Sequence, residues 1–236
     1  MTEIHERLIA RFAHVLASLH DVQPVAARLC EAGRQMLDAD GAALTVMTAA
    51  DSAMVVAATD DLATQLEDLQ EVVGDGPTRD AVRENAVQLA DFTDEGDGRW
   101  SMMHEHGRHL GFAGHIVAVP LRPGDVTIGA LAAHRGGSEG SFDPVTAEFL
   151  GAALGAALIR AIDRSLLGDA ESGPWASQAQ IHQATGMIVS QVGVRPEDAL
   201  ALLRGQAFAK DTTLLDVAQQ IVDRRINFRN FTIEGD

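Results

Sequence analysis

Apolar residues return every three or four positions from the start of the chain. Ile4, Leu8, Phe12, Val15, Leu16 and Leu19 predict an amphipathic helix beginning near Thr2. Pro24 stands where a first helical turn would start, and Val25, Leu29, Gly33, Met36 and Leu37 line one face of a second helix. The pattern then changes. Residues 42–47 and 53–58 are apolar, partly β-branched runs joined by Thr48-Ala49-Ala50-Asp51-Ser52, a strand-turn-strand signal. Leu62, Leu66 and Leu69 predict a short helix, and Pro77 opens another that runs through Val82. Residues 87–90 read as a short strand and 99–110 as a weakly patterned helix. His115 to Pro120 and Thr127 to His134 form a hairpin-like pair around Arg122-Pro123-Gly124-Asp125. Asp143-Pro144 then caps and starts a long helix, with Phe149, Leu150, Leu154, Leu158, Ile159 and Ile162 on its apolar side.

Helices at both ends of a set of strands define an α+β domain, expected over residues 1–168. Gly168 to Pro174 is the clearest break in the chain, so residues 169–174 are expected to be a linker. Beyond it the period is helical throughout. Ile181, Ala184, Ile188 and Val192 form one stripe that Gly193 ends; Pro196 opens the next helix, with Ala199, Leu202, Leu203 and Ala207 inward. Thr213 followed by Asp216 has the spacing of a capping box for a third helix, which Leu214, Val217, Ala218, Ile221 and Val222 would anchor. Residues 175–231 are therefore expected to fold as a separate all-α unit of three helices.

Two resemblances follow from particular residues. Ile181-His182-Gln183-Ala184-Thr185-Gly186-Met187-Ile188, then Ala199-Leu200-Ala201-Leu202-Leu203-Arg204, then Leu214-Leu215-Asp216-Val217-Ala218 closely resemble an ANTAR domain, a three-helix RNA-binding module of bacterial antitermination regulators. Gly74-Asp75-Gly76-Pro77-Thr78, Val119-Pro120-Leu121 with Ile128-Gly129-Ala130-Leu131, and the helix from Phe142 to Ile162 resemble a GAF domain of the actinobacterial type. That family is a sensing module with an antiparallel sheet flanked by helices. The GAF-then-ANTAR order implies a signal-responsive regulator of transcription antitermination that binds RNA hairpins and is not an enzyme. In the ANTAR family the Ala-x-Gly of the first helix and the Leu-Arg of the second are signature positions, here Ala184, Gly186, Leu203 and Arg204. The family often has Lys where Thr185 stands.

Composition narrows the field. The chain has 236 residues and a net charge of −16. Residues 1–173 hold 12 basic and 27 acidic side chains, residues 174–230 hold 6 and 5, and the last six residues add two acids. An acidic body repels nucleic acid, so any RNA contact falls to the near-neutral C-terminal unit. Arg204, Lys210, Arg224, Arg225 and Arg229 are its candidate contacts, since arginine bonds phosphate bidentately or stacks on an unpaired base. The competing reading is that these charges only solvate helix faces and balance Asp211, Asp216 and Asp223. A scaffold whose C-terminal helices serve only to dimerise is the corresponding alternative function.

In the sensor domain Asp75, Thr78, Arg79 and Trp100 could border a cavity for a small-molecule or protein input. The lone cysteine, Cys30, excludes an internal disulfide and a thiolate metal cage, and its apolar neighbours suggest a buried structural thiol. His104, His106 and His109 have poor ligand spacing, so no metal and no cofactor is expected. No nucleophile elbow, phosphate-cradling loop or His-Glu-x-x-His is present. No run of about 18 apolar residues and no signal peptide are visible, so no membrane span is expected and the chain reads as cytoplasmic. The small size of the output unit points to a homodimer.

Overall fold

The computed structural model describes residues 2–47, 53–93, 98–137, 142–165 and 174–228. The chain divides into two compact units, residues 1–70 with 75–168, and residues 71–74 with 169–236.

The first unit is built on a five-stranded sheet in the order β2-β1-β5-β4-β3, with every neighbouring pair antiparallel. Its strands are β1 (Gly41–Met47), β2 (Ala53–Ala58), β3 (Gln88–Asp91), β4 (Gly114–Leu121) and β5 (Gly129–Gly136). The hairpin expected between residues 115 and 134 is thus β4 and β5, paired from Gly114↔Gly136 to Leu121↔Gly129. Gly129 is required where β5 meets β1, because a Cβ there would lie 2.0 Å from the carbonyl oxygen of Thr45. Between Leu44 and Thr45 the β1–β2 register shifts by one residue of β2, a bulge at the sheet edge.

Period-two alternation sends the strand residues to two different cores. On one face Val117, Val119, Leu121 and Leu131 pack under α2 (Val25–Leu37) and α6 (Pro144–Ser165), where Leu29, Met36, Leu150 and Leu154 are nearly fully buried. Val15, from α1 (Thr2–Ser18), joins the same core. Asp143 caps α6 by accepting from the Thr146 N–H at 3.1 Å, as its position before Pro144 predicted. Pro144–Ala161 of α6 is the one described segment long and apolar enough to cross a bilayer. The sequence pattern predicts no such run; alanines between the larger apolar residues keep the segment apolar on average, and Leu150, Leu154 and Leu158 bury one of its faces in the domain core. The Ile162 side chain lies outside the described residues. The opposite face of the sheet carries smaller residues (Ala118, Ala130, Ala132) and is covered by α3 (Asp61–Val73), α4 (Pro77–Glu84) and α5 (Ser101–His109).

The second unit holds α7 (Pro174–Val192), α8 (Pro196–Ala209) and α9 (Leu214–Val222). Ile181, Ala184 and Ile188 meet Ala199, Leu203 and Ala207 and the α9 residues Leu214, Val217, Ala218 and Ile221 in one core. Leu200 is buried there and Leu202 only partly, a one-position rotation of α8 from the expected stripe. Thr213 caps α9 by accepting from the Asp216 N–H at 3.0 Å. The reciprocal half of the box is missing, because the Asp216 carboxylate accepts instead from the Thr212 hydroxyl at 3.0 Å. The expected linker falls largely on residues 166–173, outside the described residues.

Candidate functional site

The small-residue face of the sheet leaves space for polar groups, and a closed cluster occupies it. Glu67, on α3, is buried and accepts three hydrogen bonds: from the Thr45 hydroxyl at 2.7 Å, the Gln70 amide at 2.6 Å and the Thr78 hydroxyl at 2.6 Å. Gln70 in turn accepts from the Thr78 backbone N–H at 2.8 Å and donates to its hydroxyl at 3.0 Å. Burial raises the Glu67 carboxyl above the ordinary carboxylate range; the three hydrogen bonds pull the other way and offset part of the shift. These groups tie β1, α3 and the first turn of α4 into one layer.

The expected ligand-binding residues lie in or beside this layer. Thr78 belongs to the Glu67 cluster, and Arg79 follows it half-buried on α4. Trp100 is buried among Leu66, Phe92, Met103 and Phe112, and its indole N–H donates to Asp80 Oδ2 at 2.8 Å. A void of about 10 Å³ remains beside Glu67, Gln70 and His134, about what a single water requires. Asp75 is exposed in the turn before α4, where its carboxylate accepts from the Gly76 N–H at 3.0 Å. Sequence reasoning missed Glu67 and Gln70, because on a helix marked by Leu62, Leu66 and Leu69 both read as solvent-facing positions. Thr45, a hydroxyl inside an apolar strand, was the available signal.

His104 Nε2 lies 2.9 Å from the Thr93 carbonyl, and His106 and His109 pack edge to face with ring centroids 5.7 Å apart. Among the described residues no three metal-ligating side chains converge. Cys30 is buried with its thiol donating to the Ala42 carbonyl at 3.3 Å, and burial, together with the nearby Glu31, Asp60 and Glu67, pushes its pKa up to about 12.

In the C-terminal unit the candidate RNA residues sit at different depths. Ala184 is fully buried at the centre of the three-helix core, so it positions the helices and has no surface to offer. Gly186 is exposed, and a Cβ there would meet nothing within 4 Å, so its glycine serves no helix contact within the described residues. Thr185 donates its hydroxyl back to the Ile181 carbonyl at 2.8 Å. Arg204 is half-buried, and its guanidinium donates to Glu71 of the same unit at 3.1 Å. Lys210 is exposed at the end of α8. Arg224 and Arg225 are exposed in the turn after α9, where Arg225 stands 3.9 Å from Asp223. Among the described residues neither Lys210 nor Arg224 forms an ion pair. Arg229 lies outside the described residues. Sequence reasoning passed over Arg195, an exposed cation before α8 that Glu197 and Asp198 hold at 3.0 and 3.1 Å.

Arg224 is unusual in its backbone. It adopts φ +59°, and its N–H bonds the Ile221 carbonyl at 2.9 Å while that of Arg225 bonds the Gln220 carbonyl at 2.7 Å. This is the left-handed helix-ending position that glycine favours, and a side chain there costs roughly 1 kcal/mol. The turn sends the chain back along α7, burying Ile226 and Phe228, and the Phe228 N–H donates to Gln191 at 2.8 Å.

With this architecture in place, the class of the protein follows from its two parts. Residues 20–163 match the GAF domain family, more than half of the chain, and residues 175–222 match the ANTAR domain. The chain belongs to the GAF family and carries an ANTAR domain after it, the arrangement of a GAF–ANTAR regulator. No curated protein matches it. Among solved structures it is similar to the second GAF domain of DevS from Mycobacterium smegmatis, at 20% identity over 61% of this chain and 94% of that one, with a TM-score of 0.43. It is also similar to the GAF domain from Acinetobacter phosphoenolpyruvate-protein phosphotransferase, at 10% identity over 69% and 97% of the two chains, with a TM-score of 0.44.

Proposed function

We propose that this protein is a cytoplasmic, signal-responsive antiterminator without catalytic activity. The GAF unit takes up an input from a small molecule or a protein, and the ANTAR unit, within a homodimer, binds RNA stem-loops. The observation that carries this reading is the GAF match followed by the ANTAR match, whose three-helix unit exposes Lys210, Arg224 and Arg225. Exposed arginines suit looped RNA, where phosphates and unstacked bases are both within reach. Neutralising a few phosphates makes such binding salt-dependent.

The test is a gel shift of the full chain on tandem stem-loop RNAs, at salt concentrations from about 50 to 200 mM. Retardation that weakens as salt rises is the expected result. A full chain that dimerises in sedimentation yet retards no stem-loop at low salt removes the RNA function and favours the scaffold.

A further inference from the structure

Beside Arg224 the C-terminal unit has a groove of about 340 Å³, lined by Met187, Ser190, Gln191, Arg224, Ile226 and Asn227. Its composition is mixed in an ordered way. Met187 and Ile226 are apolar and at least partly buried, whereas Ser190 and Asn227 are exposed and polar. The Gln191 amide stands at the edge, fixed by the Phe228 N–H. Gly186 precedes Ser190 by one helical turn, so the two share a face of α7, and the missing side chain leaves the approach along the helix open.

We infer that this groove receives one unpaired base of an RNA loop, with Arg224 on the adjoining phosphate. The inference rests on the RNA-binding function proposed above and adds where a nucleotide sits. The volume is at the small end of the roughly 300–1,000 Å³ typical of ligand sites, room for a nucleotide and little more. A planar base lays its ring on Met187 and Ile226 and turns its polar edge to Ser190, Gln191 and Asn227. A base stacked in an A-form duplex cannot enter, so a loop or bulge must supply it. The Arg224 backbone supports the assignment independently. Glycine would fold more easily at this left-handed turn, and the arginine side chain contributes no ion pair to the fold among the described residues. An arginine held in a costly conformation at the mouth of a groove is accounted for by what it binds.

The test starts from tandem stem-loop RNAs randomised in both loops and selected on the full chain. Filter binding then compares the parent with Arg224→Gly and Ser190→Leu, the second filling the rim. Both variants are expected to bind about tenfold or more weakly, and R224G to lose about one phosphate's worth of salt dependence. Urea unfolding of R224G shows a protein no less stable than the parent, which separates binding from folding. Replacing loop nucleotides one at a time with abasic residues identifies one whose loss weakens the parent but adds little in S190L. A 4-thiouridine at that position cross-links to peptides containing residues 187–191 or 224–227. If the parent binds the selected RNA while R224G and S190L keep its affinity within about twofold, or cross-links fall only elsewhere, the groove assignment is wrong and the RNA function stands. If selection recovers no RNA, both fail.

Discussion

Replacing Glu67 tests whether burial raises the pKa of the acid that ties the sheet's polar face together. The side chain accepts from Thr45, Gln70 and Thr78, all buried. Glu67→Ala strands those donors. At about 1–3 kcal/mol for each unsatisfied buried group, and with hydroxyl rotation relieving some of them, the loss comes to roughly 3–5 kcal/mol. Glu67→Gln keeps an oxygen for Gln70 and Thr78, and the Thr45 hydroxyl can accept from the new amide, so its cost is within about 1 kcal/mol. The two variants also separate in pH. An acid whose folded pKa is raised contributes most below its ordinary value of 4.5 and loses that contribution as pH rises through the folded pKa. Urea titrations between about pH 4.5 and 8 should therefore show the wild type losing stability relative to E67Q, which cannot ionise. The fluorescence of Trp100, buried in the same layer, reports the transition. If E67Q is as destabilised as E67A, or the difference between wild type and E67Q is flat with pH, burial does not raise the acid's pKa and the reasoning fails.

Three further outcomes follow from single contacts. Cys30, buried and with a pKa raised to about 12, should react with a thiol reagent at pH 8 only at the rate of unfolding, and immediately in urea. Gly129→Ala would drive a Cβ against the Thr45 carbonyl and the Val46 Cα, at 2.0 and 2.8 Å, and since both are backbone the β1–β5 pairing must open. A stability loss of about 3 kcal/mol in thermal denaturation is expected, and a loss under about 1 kcal/mol would contradict the geometry. Thr213→Ala removes the one side-chain cap of α9, worth about 1 kcal/mol, which should speed amide exchange in the first turn of α9 by about fivefold.

Much of the fold could be read from periodicity, and the reasons for the exceptions are physical. Alternation in β4 and β5 marks Val117, Val119, Leu121 and Leu131 as one face because that face meets large aliphatic helix residues. The caps at Asp143 and Thr213 could be read because each acts within three residues of sequence. The Glu67 cluster could not, since it assembles Thr45, Glu67, Gln70 and Thr78 from three elements, and a polar residue on a helix is read as exposed until its partners are known. The same limit applies to the output unit. The signature Ala184 turns out to be core, whereas the groove depends on a left-handed turn at Arg224 that only backbone geometry discloses. Patterns name faces; they do not say which polar groups meet.

The charge distribution bears on how such a chain can meet an anionic polymer at all. Residues 1–173 carry 15 net negative charges and residues 174–230 a single net positive one, so the long-range field opposes approach. At physiological ionic strength that field decays over about 8 Å, and beyond one or two side-chain lengths the acidic residues contribute little. What then counts is where each cation stands and whether a carboxylate has already taken it. Arg195 and Arg204 are taken, by Glu197, Asp198 and Glu71. Arg225 is held loosely at 3.9 Å, and Lys210 and Arg224 have no such partner among the described residues. A near-neutral surface arranged this way gives little unspecific attraction, so the RNA binding we propose must draw its affinity from a few placed contacts. That favours a loop presenting a particular base over duplex of any sequence, because duplex is gripped chiefly through its phosphates and this face has few cations to spare.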